Sequence, residues 1–229
     1  MLGVLMLDTR FPRLRGDVGA AETFDDILPR GRAVRHRVVQ GASAGRVVRE
    51  ADPALLQPFI DAGHALIAEG ATALTTSCGF LARWQRELQA ALPVPVWTSA
   101  LLWLPELQRA HGVERVGVIT ADARSFDAAL LRGAGASPDT PFEGLPEGCA
   151  FQRCLLDDGA HFDPADARAA TLAAAARLRE RHPAVSTLVL ECTNLPPYAD
   201  ALRADTGCTV HDLTTWLRAR CAGPDRAQP

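Results

Sequence analysis

The 229-residue chain contains no lysine, because all 24 of its basic residues are arginine. A pyridoxal enzyme holds its cofactor through a lysine Schiff base, so carbanion chemistry of that kind is excluded and no cofactor is expected. The chain also lacks a strong charge of either sign. A formal net charge of −3 and a pI near 6.1 give no electrostatic reason to expect nucleic acid or an anionic membrane as partner. Long apolar runs are missing too: Leu2 to Leu7 is too short for a signal or a span, has no basic flank and is closed by Asp8. A cytoplasmic location is therefore expected. None of the six cysteines or six histidines has metal-ligand spacing, and cysteines without an export signal point to reduced thiols rather than disulfides. What remains, 48% apolar and 22% charged residues, is ordinary for a globular enzyme of one large or two small domains.

The chain repeats itself. A shift of 114 residues carries Cys78 onto Cys192, Gly3-Val4 onto Gly117-Val118, Asp8 onto Asp122 and Arg10 onto Arg124. It also carries Leu74, Leu81, Leu88 and Val96 onto Leu188, Leu195, Leu202 and Val210 without a gap. A period this long is a duplicated half-domain rather than a solenoid unit. Two such halves pack about a pseudo-two-fold axis, which sets the two cysteines face to face.

Strand and helix signals alternate. Strands are predicted over Leu2 to Leu7, Arg32 to Gln40, Ala71 to Leu74, Val94 to Trp97, Arg115 to Thr120, Phe151 to Leu155, Val185 to Leu190 and Cys208 to His211. Helices are predicted from Asp52-Pro53 to Gly70, and over Leu81 to Leu92, Ser99 to His111, Phe126 to Leu131, Pro164 to Arg181, Tyr198 to Asp205 and up to about Arg220. Phe11 to Pro29 reads as a flap over a site, Pro138 to Gly148 as a loop, and Gly223 to Pro229 as a frayed tail. The pattern means an α/β fold with two similar Rossmann-like lobes, parallel sheets and ligands at the strand C-terminal ends. Residues 1–98 with 212–229 would form the first lobe and 99–211 the second.

Both cysteines follow a strand and precede a helix, a position that favours the thiolate through unpaired N–H groups and the helix dipole. Two thiols on opposite sides of a crevice can move a proton across a carbon, one abstracting it while the other donates to the opposite face. The strand ending Asp8-Thr9, the turn Thr76-Ser77-Cys78, the strand end at Thr120 and the motif Glu191-Cys192-Thr193-Asn194 together resemble the aspartate/glutamate racemase superfamily, over nearly the whole chain. That superfamily includes hydantoin racemases, maleate isomerases and arylmalonate decarboxylases.

The resemblance implies a site in the cleft between lobes and a cofactor-independent reaction at an acidic α-carbon. It makes Cys78 and Cys192 the acid/base pair, places Asp8 beside the first thiol, and gives Thr9, Thr76, Ser77, Gly79, Thr120, Thr193 and Asn194 to the substrate carboxylate. Gly79-Phe80 stands where amino-acid racemases of the family carry Asn-Thr, and Asn194 where glutamate enzymes carry histidine. Decarboxylases of the family lack the first thiol, so Cys78 points to a racemase or isomerase. The expectation is a two-cysteine racemase of an amino acid such as aspartate or glutamate, or of a related small carboxylic acid. A maleate-type cis–trans isomerase is the alternative enzyme, and a non-catalytic small-molecule binding module the alternative of another class. The apolar segment Trp97, Leu101 to Leu104 suits a homodimer interface and a core helix equally.

Overall fold

The computed structural model describes residues 1–221; the tail expected over Gly223 to Pro229 lies outside the described residues. Two four-stranded parallel sheets organise the chain. In the first, β1 (Leu2–Met6) is flanked by β2 (Val34–Val38) and β3 (Ala73–Thr76), and β4 (Val96–Trp97) completes the order β2-β1-β3-β4. The second repeats the order as β6-β5-β7-β8, with β5 (Val116–Thr120), β6 (Phe142–Gly144), β7 (Thr187–Leu190) and β8 (Thr209–His211). The fold is therefore α/β with two similar lobes. Every residue of β1, β3, β5 and β7 is buried, as continuous apolar runs covered on both faces require.

The 114-residue repeat is also a repeat of strand register. Leu2 pairs with Ala73 and Leu5 with Thr76; Val116 pairs with Thr187 and Ile119 with Leu190, each partner displaced by 114. The same holds for Leu74 with Val96 and Leu188 with Val210. Gly3 and Gly117 are explained by it: a Cβ at Gly3 would meet Leu74 and Leu66, and one at Gly117 would meet Leu178 and Val185. Glycine at both places lets a helix settle close on the central strand.

The repeat fails at one strand, and the predicted strand over Phe151 to Leu155 is corrected there. Val4 pairs with His36, 32 residues on, whereas Val118 pairs with Phe142, only 24 on. The second half is thus eight residues shorter here, and the strand falls within the stretch read as a Pro/Gly loop. Residues Ala150–Leu156 form a helix instead, capped by the Cys149 sulfur, which accepts from the Gln152 N–H at 3.4 Å. The eight extra residues of the first half belong to the stretch between β1 and β2, which carries the loop over the site.

The helices are α1 (Phe24–Ile27), α2 (Leu56–Ala68), α3 (Gln85–Ala91), α4 (Leu104–His111), α5 (Ala128–Ala134), α6 (Ala150–Leu156), α7 (Pro164–Arg181), α8 (Ala199–Thr206) and α9 (Leu213–Cys221). Local chemistry sets their starts. Asp127 caps α5 by accepting from Ala129 and Leu130, and Asp163 caps α7 with Pro164 in the first turn. The buried face of α7 is largely alanine, so it lies close on its sheet. Leu101 and Leu104 are fully buried within the chain, and Trp103 stacks edge-on against Trp216 of α9. No helix among the described residues is long and apolar enough to cross a membrane.

Candidate active site

Cys78 and Cys192 end the turns after β3 and β7, and both line one cavity between the lobes. Two contacts lock the turns face to face. The Thr193 hydroxyl donates to the Ser77 carbonyl at 2.7 Å, and Gly79 packs on Glu191 so tightly that a Cβ at position 79 would overlap the Glu191 carbonyl oxygen and Oε1. Gly79→Ala is therefore expected to push the lobes apart at a cost of about 1–3 kcal/mol. Thermal unfolding checks this; a variant melting with the parent would show that the turns tolerate the methyl group.

The structure brings Ser77, Cys78, Gly79, Cys192, Thr193 and Asn194 to the cavity wall. Thr76 and Thr120 are buried behind it: the Thr76 hydroxyl donates to the Thr98 carbonyl at 2.6 Å, and the Thr120 hydroxyl to Glu191 Oε2 at 2.8 Å. Asp8 and Thr9 do not line it. Asp8 is exposed and accepts from the Gly41 N–H at 2.9 Å, while Thr9 accepts from Arg13 at 3.1 Å. Asp122, the repeat partner of Asp8, is buried and accepts from the Ser125 hydroxyl at 2.9 Å. Among the described residues no group of three or more His, Cys, Asp or Glu side chains is placed to hold a metal ion.

Three residues to which the sequence reading gave no role complete the site. Glu191 is fully buried, with Oε2 held by Thr120 and Oε1 without a partner. Burial pushes its carboxyl up to about 8, a neutral acid at pH 7. Arg13 and Asp17 sit on the flap. Asp17, 1% exposed, accepts from Arg13 at 3.0 and 3.1 Å, from the Gly19 N–H at 2.6 Å and from the Asn194 amide. The other end of that amide, Asn194 Oδ1, accepts from the Cys192 thiol at 3.5 Å. The flap is thus tied to the second thiol through one side chain. It is tied to the second lobe elsewhere by Arg10 and Phe11 N–H groups donating to Asp158 at 2.5 and 3.0 Å, and by Gly16 against Pro197. With the flap so placed, the cavity is only about 30 Å³, water-sized rather than substrate-sized.

The expectation that the turns would lower both thiols is corrected. Burial pushes Cys78 up to about 12, with the Glu191 charge adding to it; Phe80 and Leu81 N–H groups and Arg13 pull the other way and lose. Cys192 is pushed well above the usual thiol range by burial, then by Glu191, with only the Asn194 N–H opposing. The helices after both turns are short 3-10 segments, Gly79–Trp84 and Pro196–Tyr198, whose few N–H groups cannot match desolvation.

Solved structures share this architecture. An allantoin racemase from Pseudomonas fluorescens superposes with a TM-score of 0.64 at 18% identity, over 99% of this chain and 91% of its own. A glutamate racemase from Bacillus anthracis gives 0.60 at 17%, over 96% and 79%, and unliganded arylmalonate decarboxylase 0.57 at 16%, over 97% and 93%. The fold is the one that these racemases and the decarboxylase share. Within that fold, this chain's sequence is similar to proteins named for another activity. A dimethylsulfoniopropionate lyase of Durusdinium sp. clade D is 28% identical over 92% of this chain and 70% of its own length. Dimethylsulfoniopropionate lyases 7 and 3 of Emiliania huxleyi (strain CCMP1516) are 29% and 30% identical, over 93% and 96% of this chain but 64% and 59% of theirs. No protein-family model matches the chain.

Proposed function

We propose that the chain is a lyase of the racemase fold that removes the α-proton of a β-sulfonio carboxylate, dimethylsulfoniopropionate or a close analogue. The Cys78 thiolate would take the proton, the Cα–Cβ double bond would form, and the C–S bond would break with its electron pair leaving on sulfur. The products are dimethyl sulfide and acrylate, and Cys78 ends as a thiol that returns its proton to solvent.

The observation that carries the reading is similarity to dimethylsulfoniopropionate lyases over nine-tenths of the chain or more. The cavity agrees with it in two respects. Its wall includes Leu7, Phe11, Val48, Phe80, Leu155 and Leu156, apolar and aromatic surface suited to the methyl groups of a sulfonium and to a cation over a ring. A sulfonium beside a desolvated thiol also favours the thiolate, offsetting the burial that raises Cys78, whereas an anionic side chain would raise it further. Cys78 is the better base of the two, since backbone N–H groups of Phe80 and Leu81 and the Arg13 charge favour its anion. Cys192 donates to Asn194 and has Glu191, Cys78 and Asp17 all opposing ionisation.

Incubation with dimethylsulfoniopropionate tests the proposal, with headspace chromatography for dimethyl sulfide and proton NMR for acrylate. Release of both in equal amounts is expected, and release no faster than in buffer would sink it. The second thiol on the same cavity keeps one other reading in view, inversion at the α-carbon of an amino acid or related acid by a two-base mechanism. Deuterium exchange with inversion in aspartate or glutamate, without dimethyl sulfide release, would select that reading.

A further inference from the structure

We propose that the Glu191 carboxyl group is a hydrogen-bond donor to the carboxylate of the ligand in this cavity, the contact that selects an acid over its amide or ester. This rests on the reading of the cavity as a small carboxylate's site, and adds to it a donor that neither the repeat nor the thiols require.

The geometry is specific. Glu191 is 0% exposed and contributes to the wall of the cavity that both cysteines line. One oxygen is fixed by the Thr120 hydroxyl at 2.8 Å, and the other, Oε1, is buried with no partner. A bare, buried carboxylate oxygen is costly, and a protonated one is an unused donor; in either state the group lacks something that a ligand can bring. Gly79 packs against Oε1, where a Cβ would overlap it. Burial and the Asp122 charge beyond β5 oppose its ionisation, the Thr120 hydroxyl and the Ala121 N–H favour it and are outweighed, and the thiols of Cys78 and Cys192 are the other titratable groups beside it. A neutral acid is therefore the state in which the group persists at pH 7. Proton removal at Cα turns the bound carboxylate into a more basic enediolate, and a donor bonded to it gains strength as the charge grows.

Propionate and propionamide serve as unreactive probes, with calorimetric titration between pH 6 and 10 of the wild type, Glu191→Gln and Glu191→Leu. In the wild type, propionate affinity should hold below about pH 8 and fall about tenfold per pH unit above it, because the donor proton is then lost. Glu191→Gln keeps an N–H donor and the Thr120 contact, so it should bind within a few-fold at pH 7 and lose the pH dependence. Glu191→Leu should bind propionate about 10- to 100-fold more weakly. Propionamide should be insensitive to all three changes. An infrared band of a protonated carboxylic acid, present at pH 7, absent in Glu191→Gln and displaced by propionate, would identify the donor directly.

Equal propionate affinity in Glu191→Leu and wild type would overturn the proposal, as would a Glu191→Gln profile that still falls at pH 8. If Glu191→Leu does not fold, the Gln profile and the infrared band decide. Neither readout needs turnover: Glu191-dependent propionate binding without dimethyl sulfide release would sink the lyase reading alone, and turnover with Glu191-independent binding would sink this one alone.

Discussion

Cys78→Ser is expected to lower kcat/KM for dimethyl sulfide release by about 10²- to 10⁴-fold, the usual contribution of a positioned acid or base, with melting temperature nearly unchanged. An alcohol fills the same space but cannot supply the anion. Cys192→Ser separates the two readings of the site. Elimination needs one base, and a serine hydroxyl can still donate to Asn194, so the second variant should retain most lyase activity. Inversion at Cα needs both thiols, and there the two variants should fail equally. The pH profile adds a second test. With Cys78 at about 12 in the free enzyme, log kcat/KM should climb about one unit per pH unit from neutrality, because each step raises the thiolate fraction tenfold. Above about 8 the Glu191 proton is lost and the climb should flatten; in Glu191→Gln it should continue. Steady-state rates from pH 6 to 10 check both limbs. A wild-type profile already flat at pH 7 would mean a base of ordinary pKa and a different group in the role.

Glu191 also leaves a mark on stability. Its pKa is raised in the folded state from 4.5 to about 8, so between those values the native state binds more protons than the unfolded chain, and stability falls as pH rises through that window. Glu191→Gln should flatten that part of a urea-denaturation series against pH; a parallel slope would place the proton elsewhere.

The two cysteine turns and the doubled sheet were legible because the repeat acts on buried strands, where one register satisfies both halves. Leu74 opposite Val96 and Leu188 opposite Val210 are the same packing solution used twice. The edge strand β6 was not legible, because an ungapped shift carries the β2 pattern onto Phe151 and the eight-residue shortening lies in a loop that packing does not constrain. Glu191 stood inside a motif read for its cysteine; burial, not identity, gives it a role, and burial of a carboxylate is not visible in sequence. Arg13 and Asp17 lie in the stretch read only as a flap, and the docking of Gly16 against Pro197 and Asp17 against Asn194 brings them to the second lobe. Asp8 failed in the opposite direction. A strand end in this fold points toward the crevice, but its side chain turns back to Gly41.

Asp17→Ala is expected to destabilise the protein by about 3–5 kcal/mol, because it leaves the Arg13 guanidinium in a site where the side chain is only 11% exposed with no carboxylate to meet it. The variant also releases the Asn194 amide, which holds the Cys192 thiol by its other end, so the flap should open and trypsin should cut at Arg13 or Arg15 under conditions that spare the parent. A buried charge left alone costs more than a pair removed together. Arg13→Ala/Asp17→Ala should therefore recover part of the stability lost in Asp17→Ala, and a double-mutant cycle by urea denaturation measures how much. Additive losses would mean that the flap is held by Asp158 and Pro197 rather than by its ion pair. Activity discriminates further, since the double variant, even where stability returns, still lacks the acceptor that orients Asn194. A recovered fold with unrecovered kcat would assign Asp17 to positioning Asn194 in the cavity wall, and recovery of both would leave it a stabilising residue of the flap alone.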